Sequence, residues 1–299
     1  MRKWWVLVLV TLCWIAAGFA IFGSGQTPAE NVMSKRAERI VTLAPNLTEM
    51  VFALGLGERI AAVTSDSDYP AAAKDKPSVG TFWQPSLEAV IAARPDLVVT
   101  LGFTQQTALA RRLTRIGYRT VTVNIEKVND FFAAAEQIGV ATGSGAEAKA
   151  LTTKIKKRLQ NLSSMTGKSG KVKVLYVVQR SPLRVAGRDT FVNEMLELAG
   201  GENAIGPTIH KYPPIGAEQV WVCGAEVIIE VAMGQSDTSK QKESAIEYWS
   251  RFKSVPAVAN ERIYVVEADT VSRLGPRLYE GVETIARCLR PEVFEKADL

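Results

Sequence analysis

One long helix pattern with glycine-rich ends constrains the fold of this chain more than any other feature. From Gly143 to Gly170 the sequence reads GSGAEAKALTTKIKKRLQNLSSMTGKSG, in which about twenty consecutive residues include neither Gly nor Pro. Apolar residues recur there at helical spacing, at positions 150, 151, 155, 159 and 162. Such a helix is roughly 30 Å long, about the width of a small domain. It is either a stiff spacer between two lobes with a cleft between them, or one more crossover helix inside a single domain.

The part of the chain before this helix alternates predicted strands with predicted helices. The strands lie at 39–44, 60–64, 97–101 and 120–123, and the helices lie at 86–93, 105–116 and 128–139. This alternation predicts a parallel sheet with helices on its faces. Ligands of such sheets bind outside the carboxyl ends of the strands, which lead here into residues 45–46, 66–70 and 102–103. The loops carry aromatic residues that could line a site, namely Tyr69, Phe82, Trp83 and Phe103.

A further helix, predicted to follow the first strand and to end at Gly55 or Gly57, carries a capping signature. Asn46 is a good helix-capping residue, and Glu49 follows three positions later. This spacing predicts a capping box, in which the two side chains satisfy free backbone N–H groups at the start of the helix.

The part of the chain after the long helix repeats the same design. Strands are predicted at 172–178, 227–231 and 263–266, and helices at 190–199, 245–252 and 276–288. Residues 87–99 align without gaps on residues 217–229, although only Glu88/Glu218 and Val90/Val220 are identical. In both segments a short helix opens with a glutamate and leads through a turn into a buried strand. These glutamates either complement the helix dipole or serve as matching docking points, one on each lobe.

These patterns together predict an α/β fold of two Rossmann-like lobes, each with a parallel sheet, joined by one long helix. The ligand cleft is expected between the lobes. The predicted boundaries are 1–25 for a signal peptide or N-terminal membrane anchor, 26–37 for a tether, 38–142 for the N-terminal lobe, 143–169 for the linking helix and 170–299 for the C-terminal lobe. A chain of 299 residues is long enough to build two such cores.

Composition excludes several classes of function. The net charge of +5 comes without any basic block interleaved with aromatic residues, so we expect no nucleic-acid partner. The one histidine, His210, excludes a multi-histidine metal site and would have to serve in any Ser-His-Asp triad. The three cysteines show no CxxC spacing, which argues against a zinc or redox motif. Whether Cys223 and Cys288 pair stays open at this point, because pairing depends on how close the fold brings them.

The first residues carry an export signal. Met1-Arg2-Lys3 is basic, and residues 4–23 contain no charge. The length of this run favours an uncleaved membrane anchor, while a signal peptide cleaved near residues 23–25 is the alternative. A lipoprotein based on Cys13 is disfavoured, because the bulky Leu12 precedes it and the apolar run continues past it. Every option places the folded part outside the cytoplasm.

Several short segments, taken in order, resemble those of a known family, the periplasmic solute-binding proteins of ABC importers for cobalamin, iron-siderophores and haem. The matching segments lie at 39–49, 68–70, 77–80, 85–88, 94–98, 196–203, 218–220 and 275–277. The resemblance covers about residues 38 to 290. It implies a monomer that is not an enzyme, holds no cofactor of its own, captures a metal chelate and delivers it to the permease subunits of an ABC transporter.

The resemblance also implies roles for individual residues. Glu88 and Glu218 match the two glutamates that form salt bridges to arginines of the permease. Tyr212 and either Phe82 or Trp83 match aromatic residues that cover a corrin ring, and Asp269 and Arg273 match an acid and an arginine that face the ligand. Asp66 stands where cobalamin binders have a tyrosine, and Ala199 stands where they have the cysteine that pairs with the equivalent of Cys288. The expected ligand-binding residues are thus Trp83, Phe82, Tyr212, Asp269, Arg273, Asp66 and Tyr69, with no catalytic and no metal-ligating set.

Two further interpretations stay open. Cations in the second lobe would suit an anionic ligand such as haem or a ferric siderophore, and they are Arg180, Arg184, Arg188, Lys211, Arg273 and Arg277. The alternative function is an extracytoplasmic carboxylate-dependent hydrolase, which would use acids such as Asp66, Asp68 and Asp269. His210 could also act as an axial ligand to the metal of a bound chelate.

Overall fold

Two β-sheets, one on each side of a long helix, organise the chain. The computed structural model describes residues 36–167, 170–232 and 238–295, which pack from Ala37 onwards as one compact unit. The predicted anchor or signal peptide and nearly all of the predicted tether lie outside the described residues. Within the described residues, no helix combines the length and the apolar character needed to cross a bilayer.

The first sheet has four parallel strands, in the order β2-β1-β3-β4. The strands are β1 (Ile40–Thr42), β2 (Ile60–Ala62), β3 (Leu97–Leu101) and β4 (Thr120–Val123). The helices are α1 (Pro45–Ala53), α2 (Leu87–Ala92), α3 (Thr104–Arg115) and α4 (Val128–Thr142), with short 3-10 turns at Gly57–Arg59 and Ala71–Ala73. The central strands β1 and β3 are buried apart from the end of β3, as expected for a parallel sheet covered on both faces.

The predicted capping box at the start of α1 is wrong. The helix begins at Pro45, the N-cap is Ala44, and no side chain caps it. Proline suits the first helical position because its ring fixes a helical φ and it has no N–H that would need a partner. Asn46 and Glu49 therefore lie inside the helix, where their side chains are free for other contacts.

The long helix α5 (Gly145–Thr166) has 22 residues, or roughly 33 Å. It packs against α4 of the first lobe and against two helices that flank the second sheet. Its buried side, which includes Ile155, Leu159 and Leu162, belongs to one hydrophobic cluster that also contains strand residues of both sheets. The helix is thus held along its length by both lobes, which makes a large change in their relative position costly in buried apolar surface.

The second sheet has the order β6-β5-β8-β9, with β7 also paired to β5. Its strands are β5 (Val172–Arg180), β6 (Leu183–Val185), β7 (Gly201–Asn203), β8 (Val227–Val231) and β9 (Ile263–Val266). All pairs are parallel except β5 with β6. The helices are α6 (Phe191–Leu198), α7 (Ala217–Val222), α8 (Thr238–Trp249), α9 (Pro256–Ala259), α10 (Ala268–Val271), α11 (Leu278–Leu289) and α12 (Pro291–Glu295). The predicted α/β class with two parallel sheets is confirmed, while the antiparallel strand β6 was not predicted.

The predicted match between the two lobes extends to backbone conformation. The six-residue helices α2 and α7 occupy aligned positions, as do the five-residue strands β3 and β8 that follow them. The aligned turn residues Arg94 and Gly224 both have positive φ, 46° and 64°. Glycine adopts this conformation without a steric cost, whereas arginine does so only because the surrounding turn imposes it.

Cys223 and Cys288 are both free thiols. Burial raises the pKa of the Cys288 thiol to about 12 and also raises that of Cys223. Both are therefore protonated and unreactive at neutral pH.

Candidate functional site

A cavity of about 350 Å³ lies between the two lobes. Six of its lining residues come from the first lobe, Pro45, Asn46, Asp66, Phe82, Leu101 and Ile125, and four come from the second, Phe191, Ser272, Arg273 and Leu274. The first-lobe residues lie at or just beyond the carboxyl ends of the strands, except Phe82. This is where open parallel sheets bind their ligands.

The walls of this cavity differ in polarity. Phe82, Leu101, Ile125 and Phe191 supply apolar surface, and Asn46, Asp66, Ser272 and Arg273 supply polar groups. A second cavity of about 490 Å³ shares Asp66 and Arg273 with the first and is lined mainly by polar residues of the segment 63–78. A flat ligand with an apolar body and a polar edge fits such a combination.

Gln106 holds the aromatic wall of the cavity in place. Its side chain is fully buried, accepts a hydrogen bond from the Leu101 backbone at 2.8 Å and donates to the carbonyls of Leu43 and Phe82 at 2.5 and 3.2 Å. The Asp66 carboxylate accepts a hydrogen bond from the Phe82 backbone N–H at 2.5 Å. Phe82 is thus fixed from two sides before any ligand binds.

Along one edge of the cleft, which we call the buried edge, arginines of the second lobe reach acids of the first. Arg277 donates two hydrogen bonds to Glu49, at 2.6 and 2.9 Å, and Glu49 is only 4% exposed. The Arg277 guanidinium also lies over the Tyr69 ring, 4.0 Å from its centroid. The hydrogen bonds to Glu49 raise the pKa of Arg277 despite its partial burial. Beside this pair, the Asn46 side chain donates to the Leu274 carbonyl at 3.0 Å.

Arg273 forms the second bridge of the buried edge. It binds Asp68 of the first lobe at 2.8 Å and Asp269 of its own lobe at 3.0 Å. Partial burial alone would raise the pKa of Asp68, but the hydrogen bond and the charge of Arg273 together outweigh burial and hold that pKa below its usual range.

A second edge of the cleft, which we call the exposed edge, carries two further charge pairs between the lobes. Lys127 binds Asp189 at 2.5 Å, and Lys211 binds Glu126 at 2.6 Å. The hydrogen bond from Lys127 lowers the pKa of Asp189, and the hydrogen bond to Glu126 raises the pKa of Lys211. Glu194 also accepts a hydrogen bond at 2.7 Å from the Val128 backbone, at the start of α4.

The structure distributes the predicted ligand-binding residues over several places. Phe82, Asp66 and Arg273 line the cavity. Tyr69 and Asp269 lie outside its lining. The Tyr69 ring stacks on Arg277, and the Asp269 carboxylate binds Arg273. Those two residues therefore orient the arginines of the buried edge.

The two remaining predicted aromatic residues also lie outside the lining. The rings of Phe82, Trp83 and Phe103 contact one another, but Trp83 is 64% exposed and lines a separate hollow beside Glu88. Tyr212 is half-buried against the main hydrophobic cluster, and burial raises its pKa. The roles of these residues toward a ligand stay predictions.

The structure does not gather the six second-lobe cations around the cavity. Five of the six are bound to carboxylates, in the pairs Arg180–Glu230, Arg188–Glu202, Lys211–Glu126, Arg273–Asp68 and Arg277–Glu49. The side chain of Arg184 donates to the Tyr212 carbonyl. Of the six, only Arg273 lines the cavity. Loops that are adjacent in the sequence send these side chains to different parts of the lobe.

The three acids of the hydrolase alternative are engaged in hydrogen bonds or ion pairs. Asp68 and Asp269 both bind Arg273, and Asp66 accepts from the Phe82 backbone. His210 is exposed, and its carbonyl accepts a hydrogen bond from Thr208. Within the described parts of the chain, no group of three or more His, Cys, Asp and Glu side chains is placed to hold a metal ion.

Sequence reasoning missed Ile125 and Phe191 in the cavity wall and Gln106 behind it. Ile125 lies two residues past the end of β4, so the rule on the carboxyl ends of strands could have found it. Phe191 opens α6 and looks like an ordinary core residue in the sequence. Gln106 gave no signal, because its three partners are brought to it only by the fold.

Glu88 and Glu218 are both exposed, each in the first turn of its helix. A backbone N–H and the Ser86 hydroxyl donate to the Glu88 carboxylate and lower its pKa. Glu88 is therefore charged at neutral pH, and both side chains are accessible to a partner.

Comparisons with known proteins add to this geometry. The sequence profile of the family described as periplasmic binding protein matches residues 40–270. The chain is 31% identical over 276 residues to the uncharacterized ABC transporter substrate-binding lipoprotein YvrC of Bacillus subtilis, which covers 88% of this chain and 83% of that protein. It is 26% identical over 249 residues to the vitamin B12-binding protein of Vibrio parahaemolyticus, and the alignment covers 82% of this chain and 86% of that protein. Among solved structures, a possible iron-binding (periplasmic solute-binding) protein from Staphylococcus epidermidis aligns with a TM-score of 0.74 at 27% identity. The alignment covers 85% of this chain and 99% of that structure.

Proposed function

We propose a ligand for this chain from one premise: it belongs to the periplasmic binding protein family and is an extracytoplasmic substrate-binding protein of an ABC transporter. The proposed ligand is a metal chelate of the cobalamin, haem or ferric-siderophore kind, bound between the lobes. The protein delivers it to the permease subunits as a monomer held at the membrane, or exported, by its N-terminal segment. Relatives whose names include vitamin B12-binding and iron-binding proteins support this ligand class.

The observation that carries the proposal is the cavity lined from both lobes, with the fixed aromatic ring of Phe82 in its wall. Aromatic rings stack well on flat conjugated ligands, and a few polar groups set the orientation. Asp66 and Arg273 provide such groups on the side shared with the second cavity.

Charge favours a cobalamin-type ligand over an anionic one. The lining of the first cavity and the buried edge hold four carboxylates, on Glu49, Asp66, Asp68 and Asp269, and two guanidinium groups, on Arg273 and Arg277, while Lys74 and Lys76 line only the second cavity. Both guanidinium groups already bind carboxylates, so a carboxylate-bearing ligand such as haem would have to displace one of them. An uncharged or cationic chelate avoids this cost.

The volume of the cavity is small compared with a corrinoid. About 350 Å³ is near the lower end of the range of roughly 300–1,000 Å³ that is usual for ligand sites. A corrinoid is larger than this cavity. We therefore propose that the lobes separate slightly along the exposed edge to admit it, because the charge pairs there are solvated and weakly stabilising.

The test is a titration of the full-length protein with hydroxocobalamin, cobinamide, haemin and ferrichrome, followed by visible absorbance. We expect a corrinoid to bind more tightly than haemin. Phe82→Ala should weaken that binding by about tenfold, because it removes the aromatic wall. The matched control is Trp221→Ala, an exposed aromatic residue of the second lobe outside the lining, which should leave the affinity within about twofold. Tighter binding of haemin would contradict the preference for a corrinoid, and an unchanged affinity in Phe82→Ala would contradict the proposed site.

A further inference from the structure

The second lobe exposes two large apolar side chains next to the acid Glu218. Trp221 is 51% exposed and Val222 is 82% exposed, and both belong to α7. They follow Glu218 by three and four positions, which places all three side chains on one side of the helix. We call this pair the Trp221–Val222 ridge. Adjacent exposed apolar side chains beside a charge are typical of a protein-binding surface.

The ridge is held rigidly. The Trp221 ring packs on Phe252, with centroids 5.7 Å apart, and Phe252 is itself buried against Trp249 at 5.5 Å. One face of the indole is thus fixed by the core while the other faces solvent. A preorganised tryptophan loses little entropy on binding, which is one reason why tryptophan is frequent among residues that dominate binding energy.

The first lobe carries different residues at the aligned positions. The residues aligned with Trp221 and Val222 are Ile91, which is half-buried, and Ala92, which is small. Its exposed tryptophan is Trp83, from the loop before α2, and it borders a hollow of about 350 Å³ that Glu88 also lines. The first lobe therefore presents an acid beside a hollow, and the second presents an acid beside a ridge.

We propose that the Trp221–Val222 ridge is the apolar part of the contact between the second lobe and the ABC permease, and that it packs against the permease around a cation that binds Glu218. This inference rests on the proposed function and on the docking role that the family resemblance implies for Glu218, because it assumes that Glu218 faces the permease. It adds residues to that contact, and it explains why the two lobe tips are not interchangeable.

The charge of Glu218 selects this partner over two others. A lipid surface gains affinity from buried apolar area and from attraction between anionic headgroups and cations, and a carboxylate beside the ridge opposes that attraction. A second copy of this chain docked ridge to ridge would bring two Glu218 carboxylates together, which costs several kcal/mol in an interface. A permease surface with an arginine or lysine among apolar residues satisfies both parts of the patch.

The permease is identified first. A photoreactive amino acid replaces the exposed Ala217, next to Glu218, in cells that make the full-length protein, and the cross-linked partner is identified by mass spectrometry. We expect an ABC permease subunit. Cross-links to lipid alone, or to another copy of this chain, would overturn the inference.

The decisive measurement uses that permease, reconstituted in vesicles together with the full-length protein. ATP turnover is measured as a function of the amount of protein added. We expect Trp221→Ser/Val222→Ser to raise the amount of binding protein needed for half-maximal ATP turnover by about tenfold or more. Val222→Ser alone should raise that amount by about threefold. The matched control is Val140→Ser on α4, the same substitution at a residue that is 56% exposed, which should change it by less than about twofold.

Controls separate the possible failures. Val222→Ser removes only exposed surface, so it stays informative if the loss of the Phe252 contact unfolds the double variant, which a thermal melt would reveal. Ridge variants that act like the parent, while Glu88→Ala and Glu218→Ala lose activation, would overturn this inference alone. If the two glutamate variants also act like the parent, the proposed docking by these acids fails as well.

Discussion

The two edges of the cleft use the same kind of interaction in different surroundings. At the buried edge, Glu49 lies in the interior and Arg277 is mostly covered, and the pair is bidentate. At the exposed edge, Lys127–Asp189 and Lys211–Glu126 have short contacts, but both acids are largely exposed and both lysines are only partly covered. Distances alone would rank the pairs equally. Burial separates them, because a charge in the interior cannot turn to water when its partner is lost.

This difference indicates which edge holds the lobes together and which one opens. The buried edge resembles a fixed joint, since Arg277 and Arg273 tie the region between α10 and α11 to α1 and to the loop after β2. The exposed edge is the side on which the lobes can part for a ligand. The helix α5, packed on both lobes, limits the movement to a small one.

The largest expected effect comes from breaking the buried edge. Arg277→Ala should lower the free energy of unfolding by about 3 kcal/mol or more, because the Glu49 carboxylate is left buried without its main partner. Urea unfolding at neutral pH, followed by tryptophan fluorescence, measures this loss. The control is the double variant Glu49→Gln/Arg277→Met, which removes both charges and should lose much less. If Arg277→Ala lowers the free energy of unfolding no more than an exposed-edge variant does, burial does not make the pairs of the two edges differ in strength.

A smaller effect should depend on pH. The pKa of Asp68 is lowered in the folded protein, so its bridge to Arg273 stabilises the fold at neutral pH and is lost as the pH falls through that lowered pKa. Asp68→Asn should therefore cost about 1 kcal/mol at pH 7 and almost nothing well below about pH 3.9, the ordinary pKa of aspartate. Urea unfolding of parent and variant between neutral and acidic pH measures the difference. A difference that stays constant over this range would mean that the charge of Asp68 is not what matters.

The smallest effect is expected at the exposed edge. Lys211→Ala should change the free energy of unfolding by less than about 1 kcal/mol, because Lys211 and Glu126 are solvated without each other. The change should shrink further in about 0.5 M NaCl, where salt screens exposed charges. Thermal unfolding with and without salt gives both numbers. A loss as large as that of Arg277→Ala, or one insensitive to salt, would remove the contrast between the edges.

Much of the fold was predictable from the sequence. The four strands of the first sheet, the long helix and the alignment of α2–β3 with α7–β8 all follow from apolar periodicity and turn residues, which act over a few neighbouring positions. Part of the site was predictable too: Phe82, Asp66 and Arg273 do line the cavity. Trp83 shows the limit, because it is adjacent to Phe82 in the sequence and yet lines a different hollow, beside Glu88.

Glu49 shows the limit most clearly. Its spacing from Asn46 predicted a capping box, but its partner is Arg277, 228 positions away. The sequence by itself determined the elements, their α/β order, the repeat of design between the lobes and the presence of an acid in the first turn of one short helix in each lobe, since local propensity and burial pattern encode these. Only the tertiary structure decided which charges meet across the cleft, how deeply each is buried and which aromatic rings line the cavity. Such pairings depend on how distant loops approach each other, and a contact of that kind leaves no periodic trace in the chain.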